Sequence, residues 1–340
     1  MYKNGVPEPN IDFAPKHYFC RRALGPLVLD GRVDKPFWED APWTDDFIDI
    51  EGESKPRPAK RTRAKMQWDD EYFYFAAEMV EDQIWATMTE RDSVIFHDND
   101  FEIFIDPDGD SHQYYEFEIN ALNTVWDLLL VKPYRDGGPP VNGWDIAGLK
   151  TAVHIDGELN QPGADNRGWS VEVAMPWASL RECAPEGRIP LPGEYWRVNF
   201  SRVQWQAEVM EGSYRKVVNP ATGRPYPEDN WVWSPMGLIN MHYPELWGFV
   251  IFSASQGPYS FELPADEKIK WELRRLYYRE RNYYALHGAF CREAEILMNG
   301  GNWSIQPRIE TTDRLFQISA LSPSSGTTYY IREDGKLWKE

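Results

Sequence analysis

Between residues 99 and 130 the chain reads NDFEIFIDPDGDSHQYYEFEINALNTVWDLLL, three strand-length runs in which apolar side chains alternate with carboxylates and amides. Successive side chains on a pleated strand point to opposite sides of the sheet. Phe101, Ile103 and Ile105 therefore face one way and Glu102 the other. In the second run Tyr115, Phe117 and Ile119 alternate with Glu116, Glu118 and Asn120, and in the third Val125 and Asp127 alternate with Trp126 and Leu128. With Asp106 to Asp110 and Ala121 to Asn123 as turns, the segment predicts antiparallel sheet with one polar face. A row of carboxylates beside aromatic rings suits a polyhydroxylated ligand. The same pattern is what a solvated sheet face looks like.

Outside this segment the clearest hairpin is TRAKMQW with YFYFAAEMV, turned at Asp69, Asp70 and Glu71. PLVLDGRVD at 26 to 34 gives the first strand signal after an irregular, Pro-rich start, and KTAVHID, GWSVEVAMPW, YWRVNFSRVQW and WGFVIF alternate as later strands. About ten strands precede Ser253, which fits a sandwich better than an alternating βαβ sheet. After Ser253 the period changes: Ile269, Leu273, Leu276 and Tyr277 recur at helical spacing, Asp266 can cap the start, and Asn299-Gly300 can stop a helix interrupted at Gly288. WSIQPRIE, LFQISA, TTYYIRE and KLWKE then read as short strands. The expected fold is all-β, an antiparallel, jelly-roll-like β-sandwich with a C-terminal helical arm and a small β-meander. Its expected segments are an N-terminal extension at 1–25, the sandwich at 26–253, the arm at 254–300 and the meander at 301–340.

The aromatic set of 16 Trp, 18 Tyr and 16 Phe exceeds what one core normally consumes, so some rings are expected on surfaces. A net charge of −18 repels phosphate backbones and anionic lipid heads, which argues against nucleic acid and membranes as partners. Cys20, Cys183 and Cys291 are far apart and form no CxxC pair, so free thiols are expected. The N-terminal residues lack the basic-then-apolar order of a secretory signal. As written the sequence reads as cytoplasmic, and a chain trimmed of a leader would be extracytoplasmic.

Four patterns in order carry a resemblance: LDGRVDKPFWEDAPW, WDDEYFYFAAEMVED, HDNDFEIFIDPDGD with YYEFEIN behind it, and WSPMGLINMHYPELWGFVIF. On them, the chain from about Leu27 to Phe252 resembles the family 9 carbohydrate-binding modules and their DOMON-like relatives. The resemblance implies a mono- or oligosaccharide, such as a plant cell-wall glycan in polysaccharide utilisation, held between two aromatic rings with acids and amides on its hydroxyls. It points to Glu102 as the acid, to Phe96 as the first ring where those members have Trp, and to Asn230 with Trp231, or Trp233, as the second. Trp126 is a further ring beside Glu118. Glu118 stands where those sugar binders place Arg, and Arg202 is the candidate replacement donor, or else the salt-bridge partner of Glu102 or Glu118.

Three other chemistries have candidate residues. Asp106, Asp108 and Asp110 are spaced like the start of a calcium loop, and some family relatives bind structural calcium, but the EF-hand Glu is missing and a metal-free Asp/Gly turn is the commoner source of such a run. Glu102, Glu116 and Glu118 offer the paired acids of a glycoside hydrolase, the alternative in which the protein is an enzyme. Met210 and His242 are the candidate ligands if the fold carries haem for electron transfer, as some relatives do. No HExxH, Gly-rich phosphate loop or GxSxG elbow is present, and no organic cofactor is expected.

Overall fold

A computed structural model describes residues 5–254 and 260–340. The principal strands are β1 (His17–Arg22), β2 (Thr62–Trp68), β3 (Tyr72–Val80), β4 (Asp100–Asp106), β5 (Tyr114–Asn120), β6 (Val125–Leu130), β7 (Lys150–Asp156), β8 (Gly168–Pro176), β9 (Tyr195–Gln204), β10 (Asp229–Val232) and β11 (Gly248–Ser253). They form one continuous hydrogen-bonded path, β6-β5-β4-β9-β11-β1-β2-β3-β8-β7, with β10 pairing beside β9. The path curls along β1, so β6 to β11 face β2 to β7 across a shared core. Phe101, Ile103, Ile105, Tyr115, Phe117 and Ile119 on one half meet Met66, Phe73, Phe75, Met79, Val171 and Val173 on the other. Phe73 lies 5.3 Å from Phe252 and Phe75 6.0 Å from Phe200, ring to ring across the layers.

Two local readings are corrected. The first strand is HYFCRR, not PLVLDGRVD, and it runs parallel to both β11 and β2. Residues 26 to 34 are irregular because a side chain satisfies their backbone: the fully buried Glu172 carboxylate accepts the amides of Asp30 at 3.0 Å and Gly31 at 2.9 Å. It also takes the Trp38 indole at 2.7 Å, and so fastens this strap over the outer face of the second layer.

The outer face of the first layer is partly covered by the C-terminal region. A helix spans Ala265–His287 and ends where Gly288 adopts a left-handed φ of 70°, a conformation that suits glycine at a helix C-terminus. Ile269, Leu273, Leu276, Tyr277 and Tyr278 of this helix pack with Phe104, Tyr114, Leu128, Leu130 and Trp247 of the sandwich. A four-stranded meander, Arg308–Thr311, Phe316–Leu321, Thr328–Arg332 and Leu337–Lys339, closes the same core. Asp266 does not cap the helix; its carboxylate accepts hydroxyls of Ser324 at 3.0 Å and Tyr329 at 2.8 Å and ties the first turn to the meander. No described helix is long and apolar enough to cross a membrane.

Glu280 is a buried carboxyl in this helix with neither side-chain oxygen hydrogen-bonded. Burial pushes it up to about 8. A carboxyl raised on folding stabilises the native state while protonated, and that contribution is lost as pH rises from its unfolded value of about 4.3 through the folded one. Thermal melts of wild type and Glu280→Gln should diverge across this window, the variant becoming the more stable at pH 8.5. Parallel curves from pH 5 to 9 would contradict the assignment.

Candidate functional site

On β4 the outward side chains are Asp100, Glu102, Phe104 and Asp106, and β5 adds Tyr114, Glu116, Glu118 and Asn120. Register sets Glu102 opposite Glu118, Asp100 opposite Asn120, and Phe104 opposite Glu116. On the flanks, Trp126 of β6 lies opposite Glu118, and Ser201 of β9 lies opposite Glu102. The Phe104–Tyr114–Leu128–Leu130 end is covered by the helix and meander. The remaining part of this face concentrates Asp100, Glu102, Glu116 and Glu118.

Like charges directly opposite on neighbouring strands are destabilising. Among the described residues none of these four carboxylates forms an ion pair. Asp100 is completely buried, with Oδ1 3.4 Å from the Val203 amide and Oδ2 without a partner. Glu116 Oε2 is likewise unpartnered, and Glu118 accepts the Phe96 amide at 2.9 Å. Burial, then repulsion from the neighbouring acids, pushes Asp100, Glu116 and Glu118 well above the ordinary carboxylate range. Glu102 is raised by burial to about 7.

Aromatic rings border this patch. Phe96 sits half-buried on the turn Ile95–His97, and its carbonyl accepts the Trp205 indole at 2.8 Å. Trp205 follows Ser201 and Val203 at even spacing beyond β9, and Lys216 Nζ lies 3.3 Å from its ring centroid. Tyr134 is 44% exposed and is pushed up to about 12 by burial and by Glu116 and Glu118. Asn230 is paired in register with Val203, which faces the same side.

Arg202, Trp231 and Trp233 belong elsewhere. Arg202 is in register with Phe101, one residue out of step with Glu102, and therefore points into the sandwich. There its guanidinium bonds Glu81 at 2.9 Å, Thr62 at 3.0 Å and Gln204 at 2.6 Å, and lies over the Trp231 ring. Burial lowers its pKa to about 10. Its partner is thus Glu81, neither Glu102 nor Glu118. Trp231 and Trp233 join the inter-layer core, Trp233 5.9 Å from Phe200, so neither ring can stack on a ligand above Glu102.

Asp106, Asp108 and Asp110 do converge, with one carboxylate oxygen of each within 4.8 Å of the others. Asp106 accepts the amides of Gly109 and Ser111, each at 3.0 Å, and Lys336 Nζ lies 3.3 Å from Asp110. Burial with the neighbouring acids raises Asp106 well above the usual range and Asp108 to about 6. This all-oxygen set fits a hard cation such as calcium better than zinc. The haem candidates serve other roles: Met210 lies exposed on the hairpin strand Ala207–Met210, and His242 is half-buried, with Nδ1 2.8 Å from the Tyr114 hydroxyl. Burial and Arg135 lower His242 to about 3 and keep it neutral.

Asp100 and Trp205 are missed by the sequence analysis, which offers Glu116 only as a hydrolase acid. Parity joins both acids to the site, since they share their strand faces with Glu102 and Glu118. It would also have placed Trp205 with Ser201 and Val203. Tyr134 carries no such periodic signal.

Residues 29–191 match the family described as carbohydrate family 9 binding domain-like. This stretch contains Phe96, Glu102, Glu118 and Trp126 and stops before Arg202 and Asn230. The chain is 26% identical over 161 residues to exoglucanase XynX of Acetivibrio thermocellus, covering 46% of this chain and 12% of that protein's length. A solved structure from Bacteroides uniformis, provisionally described as a carbohydrate-binding protein, superposes with a TM-score of 0.51 at 14% identity and covers 71% of this chain and all of its own. At that identity the likeness is one of fold. A family 9 module from Caldicellulosiruptor kristjanssonii in complex with cellotriose aligns at a TM-score of 0.45 and 16% identity, covering 73% of this chain and 100% of its own. Residues 29–191 are thus similar in sequence to the family 9 carbohydrate-binding modules, and they lie within a β-sandwich.

Proposed function

We propose that the chain binds a mono- or oligosaccharide, without cleaving it, on the acidic outer face of β4 and β5. The observation that carries this reading is the unpaired carboxylate patch at Glu102, Glu116 and Glu118, bordered by Phe96, Trp126, Trp205 and Tyr134. A pyranose offers C–H faces to rings and hydroxyl donors to carboxylates. The glucose and cellotriose complexes of the C. kristjanssonii module make β-glucans the first ligands to try, and polysaccharide utilisation, including that of plant cell-wall glycans, is the corresponding role.

Calorimetric titration with glucose, cello-oligosaccharides, other neutral glycans and uronic acids is the test. Binding is expected, with Glu102→Gln and Trp126→Ala each weakening it at least about tenfold, or about 1.4 kcal/mol. A panel without heat, or affinities unmoved by both substitutions, would remove the reading. Arg202→Ala should behave differently. It leaves Glu81 buried and unpaired, at a cost of about 3 to 5 kcal/mol of stability, while the folded fraction keeps its sugar affinity. A selective loss of affinity at unchanged stability would return Arg202 to the site.

We further propose that the Asp106–Asp110 loop takes structural calcium, which would relieve the repulsion among its three carboxyls. Calcium at about 100 times its dissociation constant adds about 2.7 kcal/mol of stability. The melting temperature should therefore rise with calcium and fall with chelator, and Asp108→Asn should remove much of that response. Melts indifferent to both additions would leave the loop as a hydrogen-bonded turn.

A further inference from the structure

We propose that the acidic patch on β4 and β5 holds a calcium ion ligated by Asp100, Glu102 and Glu118, distinct from the Asp106–Asp110 loop. This goes beyond sugar binding, since it concerns what neutralises the patch, and it has a readout of its own.

The three residues are buried, and each offers one carboxylate oxygen within 4.8 Å of the other two. Ligand oxygens at 2.3 to 2.6 Å from calcium can stand up to about 5 Å apart, which accommodates this set. An oxygen-only set disfavours zinc and copper, which seek nitrogen or sulfur. Calcium's flexible geometry suits three fixed carboxylates better than magnesium, which demands a near-ideal octahedron and sheds its waters reluctantly.

A second observation stands outside the triad. Glu116, also buried and on the same face, has an Oε2 with no hydrogen-bond partner. A buried, unpartnered polar oxygen is costly. The cation that sequence spacing offered, Arg202, is bonded to Glu81 in the sandwich interior. Asp100 has no exposed surface, so a positive group carried on a sugar cannot be what meets its unmatched oxygen. The remaining coordination positions fall to water or to ligand hydroxyls. By contrast, the third acidic group, Asp92, Asp127 and Asp145, already has Arg91 within salt-bridge distance of all three residues.

The test is calorimetric titration of calcium chloride into the full chain carrying Asp108→Asn and Asp110→Asn, which disables the loop. One calcium per chain is expected, with magnesium weaker. Adding Asp100→Asn or Glu118→Gln should weaken calcium binding at least tenfold, with far-UV circular dichroism unchanged. If one of these variants fails to fold, the other supplies the comparison. No calcium heat in the loop-disabled chain, or affinity unaltered in the folded triad variant, overturns the proposal. Because no sugar enters this titration, a silent glycan panel beside a positive calcium signal defeats the sugar reading and keeps the ion. Glycan binding without calcium binding does the reverse.

Discussion

Two buried ion pairs decide how much of the first layer's outer face stays open. Arg135 pairs with Glu245 at 2.7 Å, and Asp136 pairs with Arg281 of the long helix at 2.5 Å. Tyr277 donates its hydroxyl to Asp136, and Tyr278 donates to Glu245, so residues within about one turn of the helix engage two separate turns that the Arg135–Glu245 pair joins. Buried pairs of this kind need not outdo an apolar replacement in stability, but losing one partner leaves a stranded charge. Their effect is to fix where the helix lies. A slide along its axis would break the three helix contacts together. Because Tyr134 immediately precedes Arg135, the same anchorage holds that ring beside Glu116 and Glu118. The helical arm thus both covers one end of the sheet and fixes the edge of what remains.

The two faces of the sandwich treat charge in opposite ways. Glu172 on the second layer is sealed, yet it is met by two amides, an indole and Lys35. Arg202 in the interior is similarly provided for by Glu81, Gln204 and Thr62. Against those two, Asp100 and Glu116 are each left with an oxygen unmatched on one patch. Folding alone gives no reason for that arrangement, since Glu opposite Glu across two strands is unfavourable. Recognition does: unmatched acceptors are what a donor-rich ligand or a cation would complete.

Much of this was legible in the sequence. Alternation in 99 to 130 gives the polar and apolar faces of β4 and β5 correctly, and the change to helical spacing after Ser253 marks the arm. Arg202 shows where an available signal was passed over. In YWRVNFSRVQ it shares parity with Trp196, Val198 and Phe200, all of them core residues, and that parity already turns it inward. Trp231 and Trp233 share parity in the same way. Other features lay outside local pattern. HYFCRR becomes a central strand because of neighbours more than forty positions away in the chain, and PLVLDGRVD forms no strand because a distant glutamate binds its amides. Register between β4 and β9, which decides what stands opposite Glu102, is likewise a property of the assembled sheet.

Depth within the patch orders the chemistry available to it. Asp100 lies sealed at the bottom, Glu102 is 5% exposed above it, and Tyr134 stands at the edge at 44%. A sugar ring is too large to enter among the acids, so under the proposed reading its contacts would fall to the rings and to the outermost carboxylate oxygens. The deeper oxygens can be served only by protons, water or an ion. Which of these is present sets the charge that a ligand meets. A patch neutralised by protons still offers acceptors to a neutral polyol, and a patch of bare carboxylates repels a uronate. A divalent ion at the bottom reverses that second outcome, because it presents a positive centre beneath hydroxyls and carboxylates alike. Glu118 stands where the family 9 sugar binders that the chain resembles carry arginine, and a carboxylate that recruits a cation would supply a positive centre by a different route.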